Sequence, residues 1–440
     1  MAFPENIKYS IFICLYILIS SCAVQKKSVI GYHFQASELD TLASLRSGFS
    51  GLMVCDLKTN EVITSYNAHK YFVPASNIKL FTTYACLKTL GDSLEAFRYK
   101  ENDSTFTFWG TADPTLMHPF FENTGIIDFL KEKAKSKKLI YSTAHVDLRR
   151  YGRGWMWDDF SDYYQAEITA FPIFGNIVYV KKDSLGIKIL PDSVMVNPAI
   201  SDRINSIKRI ETDNIFEIPK TLESKQTFEQ EIPYYNASKV NMTLLQKLIG
   251  DTVIQRNIQL DDYALAKYSC PLDTVIRRML QVSDNMLAEH LLLAAGMVLT
   301  DSLSTDYTIN TVKGSFMKSL PNHVFWADGS GLSRYNRCTP ASIISLLTKM
   351  YSEYPESRIF SLMPKGGDVG TLQTVFEGQP KPFIYAKSGS MTGVYNLSGY
   401  LITNSGRKMV FSFMNNNFEG KVSEIRKTVE KILMEIRMNY

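Results

Sequence analysis

The sequence predicts an α+β fold in which helices flank an antiparallel sheet and a large β-rich insertion interrupts the chain. Three observations support this fold class. Helix and hairpin patterns precede residue 97, short strand-like runs broken by prolines fill 97–260, and strands followed by a helix close the chain. Of the 440 residues, 45% are apolar and 21% charged, an ordinary globular composition with enough chain for more than one core.

The N-terminal segment predicts export. Its apolar run, 11–19, follows Lys8 and is shorter than the ~20 apolar residues of a membrane-spanning helix, so we interpret 1–21 as a signal peptide. The segment ends in Ser-Ser-Cys, as in the lipobox of bacterial lipoproteins, which predicts a lipid on Cys22 and a tether over 22–35. An ordinary secretory signal cleaved elsewhere is the alternative. Both place the protein in the periplasm or cell envelope, and a lipid would anchor it to the outer membrane in a Gram-negative source.

The residues that follow predict the first part of one domain. Apolar side chains recur at helical spacing over 36–45 and predict a helix. Two short runs, 51–57 and 61–66, predict a hairpin. A further helix is expected from Ile78 to Leu90, with Ser76 at its start.

The end of the chain predicts the rest of the same domain. Residues 36–96 and 261–440 are expected to pack together around the insertion 97–260. The predicted elements after the insertion are helices at 272–280 and 286–299, strands at 383–387, 395–403 and 409–414, and a C-terminal helix at 422–436.

Charge and cysteine content exclude several functions. With 48 Lys and Arg against 44 Asp and Glu, and no dense basic run, charge does not imply a nucleic-acid partner. The four cysteines that follow Cys22 form no C-x-x-C pair, which argues against a zinc knuckle or a thioredoxin-type site. We interpret them as buried apolar residues and leave their pairing open. No metal or cofactor is implied.

Three short motifs carry chemistry, in this order: S-x-x-K at Ser76–Lys79, S-x-N at Ser283–Asn285, and K-[ST]-G at Lys387–Gly389. The first is weak alone, because S-x-x-K also occurs at 315–318 and 405–408. Each motif alone is more often a helix cap or a turn. Their order, with one on a helix, one in a loop and one on a strand, points to a serine nucleophile.

The spacing has a mechanical reason. Residues i and i+3 share one helix face, so the Lys79 amine can reach the Ser76 hydroxyl. Lys79 can act as a base only if burial and a second cation disfavour its charged form, and Lys387 is the candidate cation. Gly389 would let a substrate backbone approach, while Lys387 and Ser388 could bind a carboxylate. The alternatives are a plain N-cap for Ser76, an anti-aggregation charge for Lys387, and a Ser-His-Asp triad assembled elsewhere.

Over residues 36–437 the chain resembles the D-alanyl-D-alanine carboxypeptidases/endopeptidases of peptidase family S13, the class C low-molecular-mass penicillin-binding proteins. The most specific stretch is Asp-Gly-Ser-Gly-Leu-Ser-Arg at 328–334. The resemblance implies a serine β-lactamase/DD-peptidase-like domain. The other matching stretches are 74–79, 112–116, 154–155, 283–285, 288–289, 370–372 and 387–389.

The resemblance also implies roles. Ser76 would attack the peptide carbonyl and Lys79 would accept its proton. Ser283 would help pass that proton to the leaving amine, and Asn285 would hold the substrate amide. Lys387 would bind carboxylate.

The remaining implied contacts concern the substrate. Ser388 would share the carboxylate with the lysine before it, and the backbone N–H of Ser390 would complete an oxyanion hole. Asp147 lies where the family has an acid that can contact a diaminopimelate side chain, and an ordinary surface carboxylate is the alternative. Two departures from the family pattern are Lys-Ser-Gly for Lys-Thr-Gly and Ala112 for glycine. The insertion is also somewhat short.

The expected function is therefore a serine DD-carboxypeptidase/endopeptidase that cleaves D-Ala-D-Ala or cross-link bonds of peptidoglycan stem peptides through an acyl-enzyme. β-Lactams such as penicillin would be covalent inhibitors. A β-lactamase-like hydrolase and a catalytically idle cell-wall-binding lipoprotein are the alternatives. The sequence does not indicate the oligomeric state.

Overall fold

The computed structural model describes residues 39, 41–195, 198–378 and 380–440. The predicted signal peptide, Cys22 and the tether lie outside the described residues. Within the described ranges, no helix is both long and apolar enough to cross a membrane. The strands, in chain order, are β1 (Phe49–Asp56), β2 (Val62–Tyr66), β3 (Ser93–Glu101), β4 (Thr105–Gly110), β5 (Lys138–Ser142), β6 (Ile177–Asp183), β7 (Gly186–Leu190), β8 (Ala199–Ser201), β9 (Lys208–Arg209), β10 (Phe216–Pro219), β11 (Phe228–Pro233), β12 (Val253–Arg256), β13 (Leu265–Pro271), β14 (Ile384–Met391), β15 (Val394–Ile402) and β16 (Lys408–Asn416).

The helices are spread unevenly along the chain, and five of them follow one another between β13 and β14. They are α1 (Ile78–Thr89), α2 (Ile126–Ala134), α3 (Ala237–Ile249), α4 (Leu272–Val282), α5 (Asn285–Thr300), α6 (Thr305–Phe316), α7 (Pro340–Glu353), α8 (Glu356–Leu362) and α9 (Val422–Asn439).

The first sheet joins the two ends of the chain. Its strand order is β14-β15-β16-β1-β2, and every neighbouring pair is antiparallel. The apolar stripe of α9 packs on one face of this sheet, and α1, α4, α5 and α7 form a core with the other face. The sheet thus has helices on both sides, and β14, which carries the third motif, is an edge strand.

Helix α1 runs through the centre of this half of the molecule. Every residue from Ile78 to Leu87 is buried, so the helix has no solvent-facing stripe. It packs against α5, which is also buried along most of its length. The centre of the domain therefore holds the start of α1, which follows closely after Ser76.

The insertion forms a separate layer. Its five-stranded sheet has the order β12-β5-β4-β3-β13, in which β4–β5 and β5–β12 are parallel. Two three-stranded sheets, β11-β6-β7 and β8-β10-β9, complete it. Its own apolar core includes helices α2 and α3, which the sequence pattern did not predict. The sheet begins at Ser93, shortly before the predicted start at 97, and ends at Pro271, well beyond the predicted end at 260, because β13 pairs back onto β3.

The helix predicted over 36–45 is wrong for the part that the structure describes. Residues 39 and 41 have 3-10 geometry and 43–47 form turns. The amides of Leu42, Leu45 and Gly48 donate to residue i−3, and only the amide of Arg46 makes a helical bond to residue i−4 within the described part of this segment. The leucines repeat every third position, which suits three-residue turns as well as a helix. Leu39 and Leu45 are nevertheless buried against the core beside α9.

The four cysteines of the described residues are buried and none is in a disulfide. Burial alone raises the pKa of Cys55 to about 11. These thiols are apolar core side chains, as the sequence reading favoured.

Candidate active site

The backbone of Ser76 is held tightly between two other segments. It lies in a short 3-10 turn, Ala75–Asn77, that leads into α1. A Cβ placed on Gly389 of β14 would lie 2.5 Å from the Pro74 carbonyl oxygen and 3.0 Å from the Ser76 nitrogen. A Cβ on Gly331 would lie 1.9 Å from the Ala75 carbonyl oxygen. A side chain at either glycine would therefore collide with the backbone on which the nucleophile lies. We expected Gly389 to let a substrate backbone approach, but in the structure the backbone that comes close to it is the chain's own.

Lys79 connects the first motif to the second. Its Nζ donates to the Ser76 Oγ at 3.0 Å, to the Asn285 Oδ1 at 2.6 Å and to the Ser330 carbonyl oxygen at 2.7 Å. The side chain is fully buried. The predicted contact between the two side chains one helical turn apart is thus present in the structure.

The other two S-x-x-K matches have no such arrangement. Lys408 forms an ion pair with Glu356 at 2.5 Å, and Ser405 donates to the backbone at Tyr440. Ser315 is exposed on α6, and within the described residues no hydrogen bond joins it to Lys318. Only the match at Ser76 places the serine and the lysine in a buried network.

Burial lowers the pKa of Lys79 to about 8, while the carboxylates of Asp284, Glu289 and Asp328 act in the opposite direction. We expected part of this lowering to come from the charge of Lys387. The structure shows the reverse coupling, because burial and the charge of Lys79 together hold the pKa of Lys387 well below its usual range. At neutral pH most Lys79 amines are therefore still protonated, but the neutral form is far more populated than in an exposed lysine.

The third motif lies along β14 beside the start of α1. The Asn77 amide donates to the Lys387 carbonyl oxygen at 3.2 Å. The Lys387 Nζ is fully buried and donates to the Ser388 carbonyl oxygen at 2.6 Å. Ser388 is half-buried and Ser390 is exposed. The strand thus brings one buried amine and two hydroxyls to the edge of the sheet next to Ser76.

The second motif is a tight connection between two helices. Ser283 ends α4 in the left-handed conformation, with φ 61°, and the Asp284 carboxylate caps α5 by accepting from the Leu287 N–H at 3.0 Å. The Asn285 amide donates to the Tyr164 carbonyl oxygen at 3.0 Å. Because Tyr164 belongs to the insertion, the two layers of the molecule together orient Asn285.

Two buried carboxylates support the site, and the sequence reasoning had given them no role. Glu289 accepts from the N–H groups of Gly329 at 2.9 Å and Ser330 at 2.8 Å. Burial and the charge of Asp328 raise the pKa of Glu289 to about 8. These bonds fix the loop whose Ser330 carbonyl accepts from Lys79. The sequence did contain a signal for this role, because Glu289 and the Asp-Gly-Ser-Gly run both lie in stretches that match the family.

Asp328 organises the same loop. Its carboxylate accepts from the N–H groups of Gly331 at 2.8 Å and Ser333 at 2.6 Å, and from the Asn336 amide at 2.7 Å. The indole N–H of Trp155, a residue of the insertion, donates to it at 2.9 Å. The loop is thereby tied to both layers.

Asp147 lies apart from this network. It is exposed, and its backbone N–H donates to the Leu303 carbonyl oxygen at 3.0 Å. Within the described residues no hydrogen bond or ion pair joins its carboxylate to the three motifs. A substrate contact at Asp147 stays a prediction.

A family comparison agrees with this geometry. The sequence profile of the D-Ala-D-Ala carboxypeptidase 3 (S13) family matches residues 36–436. The chain belongs to the S13 family. The resemblance drawn from the motifs is thereby confirmed, and with it the assignment of this chain as a serine-type D-Ala-D-Ala carboxypeptidase.

Individual relatives differ widely in how much of the chain they match. The D-alanyl-D-alanine carboxypeptidase DacB of Haemophilus influenzae is 23% identical over 430 residues, which cover 88% of this chain and 89% of DacB. The penicillin-sensitive carboxypeptidase A of Dictyostelium discoideum is 32% identical over 125 residues, or 26% of this chain and 24% of that protein. The first relative supports similarity across both layers.

Solved structures show the same fold. The crystal structure of penicillin-binding protein 4 (DacB) from Haemophilus influenzae matches with a TM-score of 0.72 at 21% identity, covering 91% of this chain and 97% of the other. The same protein complexed with a β-lactam matches with a TM-score of 0.67 at 20% identity, with the same coverage. The predicted fold class is confirmed.

Proposed function

We propose that Ser76 is the nucleophile of this S13 peptidase and that it cleaves D-Ala-D-Ala or cross-link peptide bonds of peptidoglycan stem peptides through an acyl-enzyme. One observation carries the proposal. The buried Nζ of Lys79 lies 3.0 Å from the Ser76 Oγ, and burial lowers the pKa of Lys79 to about 8. A serine hydroxyl needs such a neighbouring base to attack a carbonyl at neutral pH.

In the acylation step, the Ser76 Oγ bonds to the carbonyl carbon as its proton moves to Lys79 Nζ. The start of α1 supplies the Ser76 N–H for the developing oxyanion, and the Ser390 N–H on the adjacent strand is the proposed second donor. The C–N bond then breaks, and the proton passes by way of Ser283 to the leaving amine. Water attacks the resulting ester and releases Ser76 with the shortened peptide.

Substrate binding is proposed for the edge strand and the second motif. The Ser388 hydroxyl would bind the terminal carboxylate, and Lys387 would contribute from the buried side of the strand. The Asn285 amide would hold the substrate amide. Its bonds to Lys79 and Tyr164 support this role, because they fix the orientation of its side chain at the cleft.

Intact-mass measurement with benzylpenicillin tests the nucleophile. We expect the native protein to gain one penicilloyl group and Ser76→Ala to gain none. Ser315→Ala is the matched control, since it removes the serine of another S-x-x-K match and should be labelled like the native protein. An adduct on Ser76→Ala would overturn the assignment. A long-lived native adduct is the peptidase result, whereas rapid release of hydrolysed drug would indicate a β-lactamase.

We place the enzyme in the cell envelope, where its proposed substrate lies, and we retain the lipid on Cys22 as a proposal based on the Ser-Ser-Cys pattern. Metabolic labelling with radioactive palmitate should mark the native protein. Loss of the label in Cys22→Ala would support the anchor, and an unlabelled native protein would contradict it.

A further inference from the structure

A cavity of about 480 Å³ lies within the insertion, apart from the three motifs. It is lined by the end of β5, the segments 146–150 and 167–171, the start of α3, and β12. No residue of the S-x-x-K, S-x-N or K-[ST]-G motif lines it. Its volume is in the range of about 300–1,000 Å³ that is usual for small-molecule sites. The cavity is therefore large enough for a ligand, and the proposed peptidase reaction does not use it.

The inner wall of the cavity combines apolar side chains with polar groups that are already paired. The Asn241 amide donates to the Phe171 carbonyl oxygen at 3.0 Å. The Glu167 carboxylate accepts from the N–H groups of Asn236 and Ala237, each at 2.8 Å. These groups need no ligand. The apolar lining residues are Val146, Leu148, Ile168, Ala170, Phe171 and Met242.

Tyr141 is a lining residue with an unused polar group. Its side chain is only 7% exposed, and its ring lies 5.3 Å from the Phe108 ring and 5.8 Å from the Phe171 ring, between centroids. Within the described residues no hydrogen bond engages its hydroxyl. Burial raises the pKa of Tyr141, so the hydroxyl keeps its proton and can donate it to an acceptor. Buried polar groups are nearly always paired, and this one indicates a missing acceptor in the cavity.

Two cations lie at the mouth of the cavity, on the exposed side chains of Arg150 and Lys239. The Arg150 guanidinium lies 4.9 Å from the centre of the Tyr151 ring and 5.0 Å from that of Tyr235. Its Nε is 3.8 Å from the Glu167 Oε1. In the described part of the chain no hydrogen bond engages this guanidinium, and Lys239 forms no ion pair. The two rings hold Arg150 in place and leave its N–H groups for a ligand.

The charges around the cavity favour an anion. The two cations face one lining carboxylate, that of Glu167, and burial raises its pKa against the effect of its backbone bonds and of Arg150. A carboxylate suits a guanidinium because its two oxygens can accept two parallel N–H bonds. Thr143, Ser238 and Gln255 are exposed at the mouth and can bond to peptide amides. The chain of a fatty acid would leave these three side chains unused.

We propose that this cavity binds the C-terminal carboxylate and the last residues of a second D-Ala-terminated stem peptide, away from the catalytic serine. Arg150 and Lys239 hold the carboxylate, and the Tyr141 hydroxyl donates to a carbonyl oxygen deeper in the cavity. The choice of this peptide rests on the proposed function, whereas the carboxylate chemistry does not. A second contact of this kind raises the affinity of the enzyme for a polymer that carries many stem peptides.

Peptide binding to the protein with its catalytic serine blocked tests the proposal. The full chain is acylated with benzylpenicillin, and calorimetric titration then follows binding of Nα,Nε-diacetyl-L-Lys-D-Ala-D-Ala. We expect a one-to-one complex with a dissociation constant of about 1 mM or lower. The same peptide with a C-terminal carboxamide should bind at least about tenfold more weakly, because it lacks the charge that Arg150 recognises.

Substitutions then locate the complex. Arg150→Gln removes the guanidinium and should weaken binding at least about tenfold. Tyr141→Phe removes only a hydroxyl without a partner, so the variant should fold normally and bind about threefold more weakly or worse. Arg256→Gln and Tyr263→Phe change exposed residues outside the cavity and should bind like the native protein. Labelling by benzylpenicillin shows that each variant is folded.

The outcomes separate the two proposals. Lack of a complex with the acylated protein, equal binding of the carboxamide, or native affinity in both cavity variants would overturn the second peptide site while the peptidase function stands. Binding of dodecanoate in place of the peptide would also overturn it and would assign the cavity to a lipid. If benzylpenicillin leaves no adduct on Ser76, the proposed function fails, and the same titration of the unmodified protein and its cavity variants still decides the peptide site.

Discussion

Lys79 shows how one side chain combines the requirements of the site. Two of its contacts, to Ser76 and Asn285, join motifs that are 206 residues apart. The sequence could predict the first contact, because helical spacing alone brings positions 76 and 79 together. It could not predict complete burial or the three opposing carboxylates, since both depend on how distant segments pack around α1.

The pKa of Lys79 predicts how acylation depends on pH. Below a pKa of about 8 the amine is protonated and cannot accept the Ser76 proton. The second-order rate constant for acylation by benzylpenicillin should therefore rise by about tenfold per pH unit up to about pH 8 and then level off. Stopped-flow or quenched mass measurements between pH 5.5 and 9.5 would record the profile, with these pH limits chosen to bracket the titration.

A variant checks the origin of that profile. Lys79→Arg keeps a cation that cannot lose its proton, so acylation should fall by at least about 10²-fold at every pH. Lys318→Arg, at the lysine of another S-x-x-K match, should retain the native profile. A rate already level at pH 6, or one that still climbs beyond pH 9.5, would contradict Lys79 as the base.

At the scale of the elements, the site depends on close contact between β14 and the turn before α1. A methyl group at Gly389 would meet the Pro74 carbonyl oxygen at 2.5 Å and the Ser76 nitrogen at 3.0 Å, and backbone cannot move aside as a side chain can. Gly389→Ala should therefore push the strand away from the nucleophile. We expect benzylpenicillin acylation to slow by at least about tenfold. The free energy of unfolding should fall by about 1–3 kcal/mol.

The chain offers a matched glycine on a helix. A methyl group at Gly314 on α6 would meet nothing within 4 Å, so Gly314→Ala should leave acylation unchanged and stabilise the protein by about 0.5–1 kcal/mol. Urea denaturation and the acylation rate measure both effects. Native acylation by Gly389→Ala would show that the strand tolerates displacement there.

The elements that could be predicted from the sequence are those with a long and regular apolar pattern. The strands β14 to β16 and helix α9 were found from the sequence because their apolar patterns are long and regular. Helix α7 was missed although its start is marked, since the Thr339 hydroxyl accepts from the Ser342 N–H and Pro340 occupies the first turn. The helix predicted at 36–45 failed because a repeat of three fits turns equally well. The spacing of apolar residues alone does not distinguish a helix from a series of turns. The packing of the segment against the rest of the fold decides between them.

On the scale of the whole molecule, the insertion is bound firmly to the catalytic layer. Tyr164 and Trp155 supply hydrogen bonds to the site, and an apolar cluster lies between the layers. That cluster combines insertion residues with residues of α5 and the loop after it: Ala112, Ile168, Ala170, Leu293, Met297 and Leu303. The sequence placed the insertion, but nothing in its pattern indicated which of its residues face α5.

An apolar interface that also carries part of the active site predicts one cooperative unfolding transition. Leu293 is fully buried in that interface, so Leu293→Ala should cost about 2–5 kcal/mol. Urea unfolding followed by far-ultraviolet circular dichroism and by loss of labelling with a fluorescent penicillin should shift together to lower urea. Leu185→Ala, at a side chain 96% exposed, is the control and should shift neither midpoint. If labelling were lost well before the circular dichroism signal in Leu293→Ala, the two layers would unfold separately, and the insertion would support the site without being required for the stability of the whole fold.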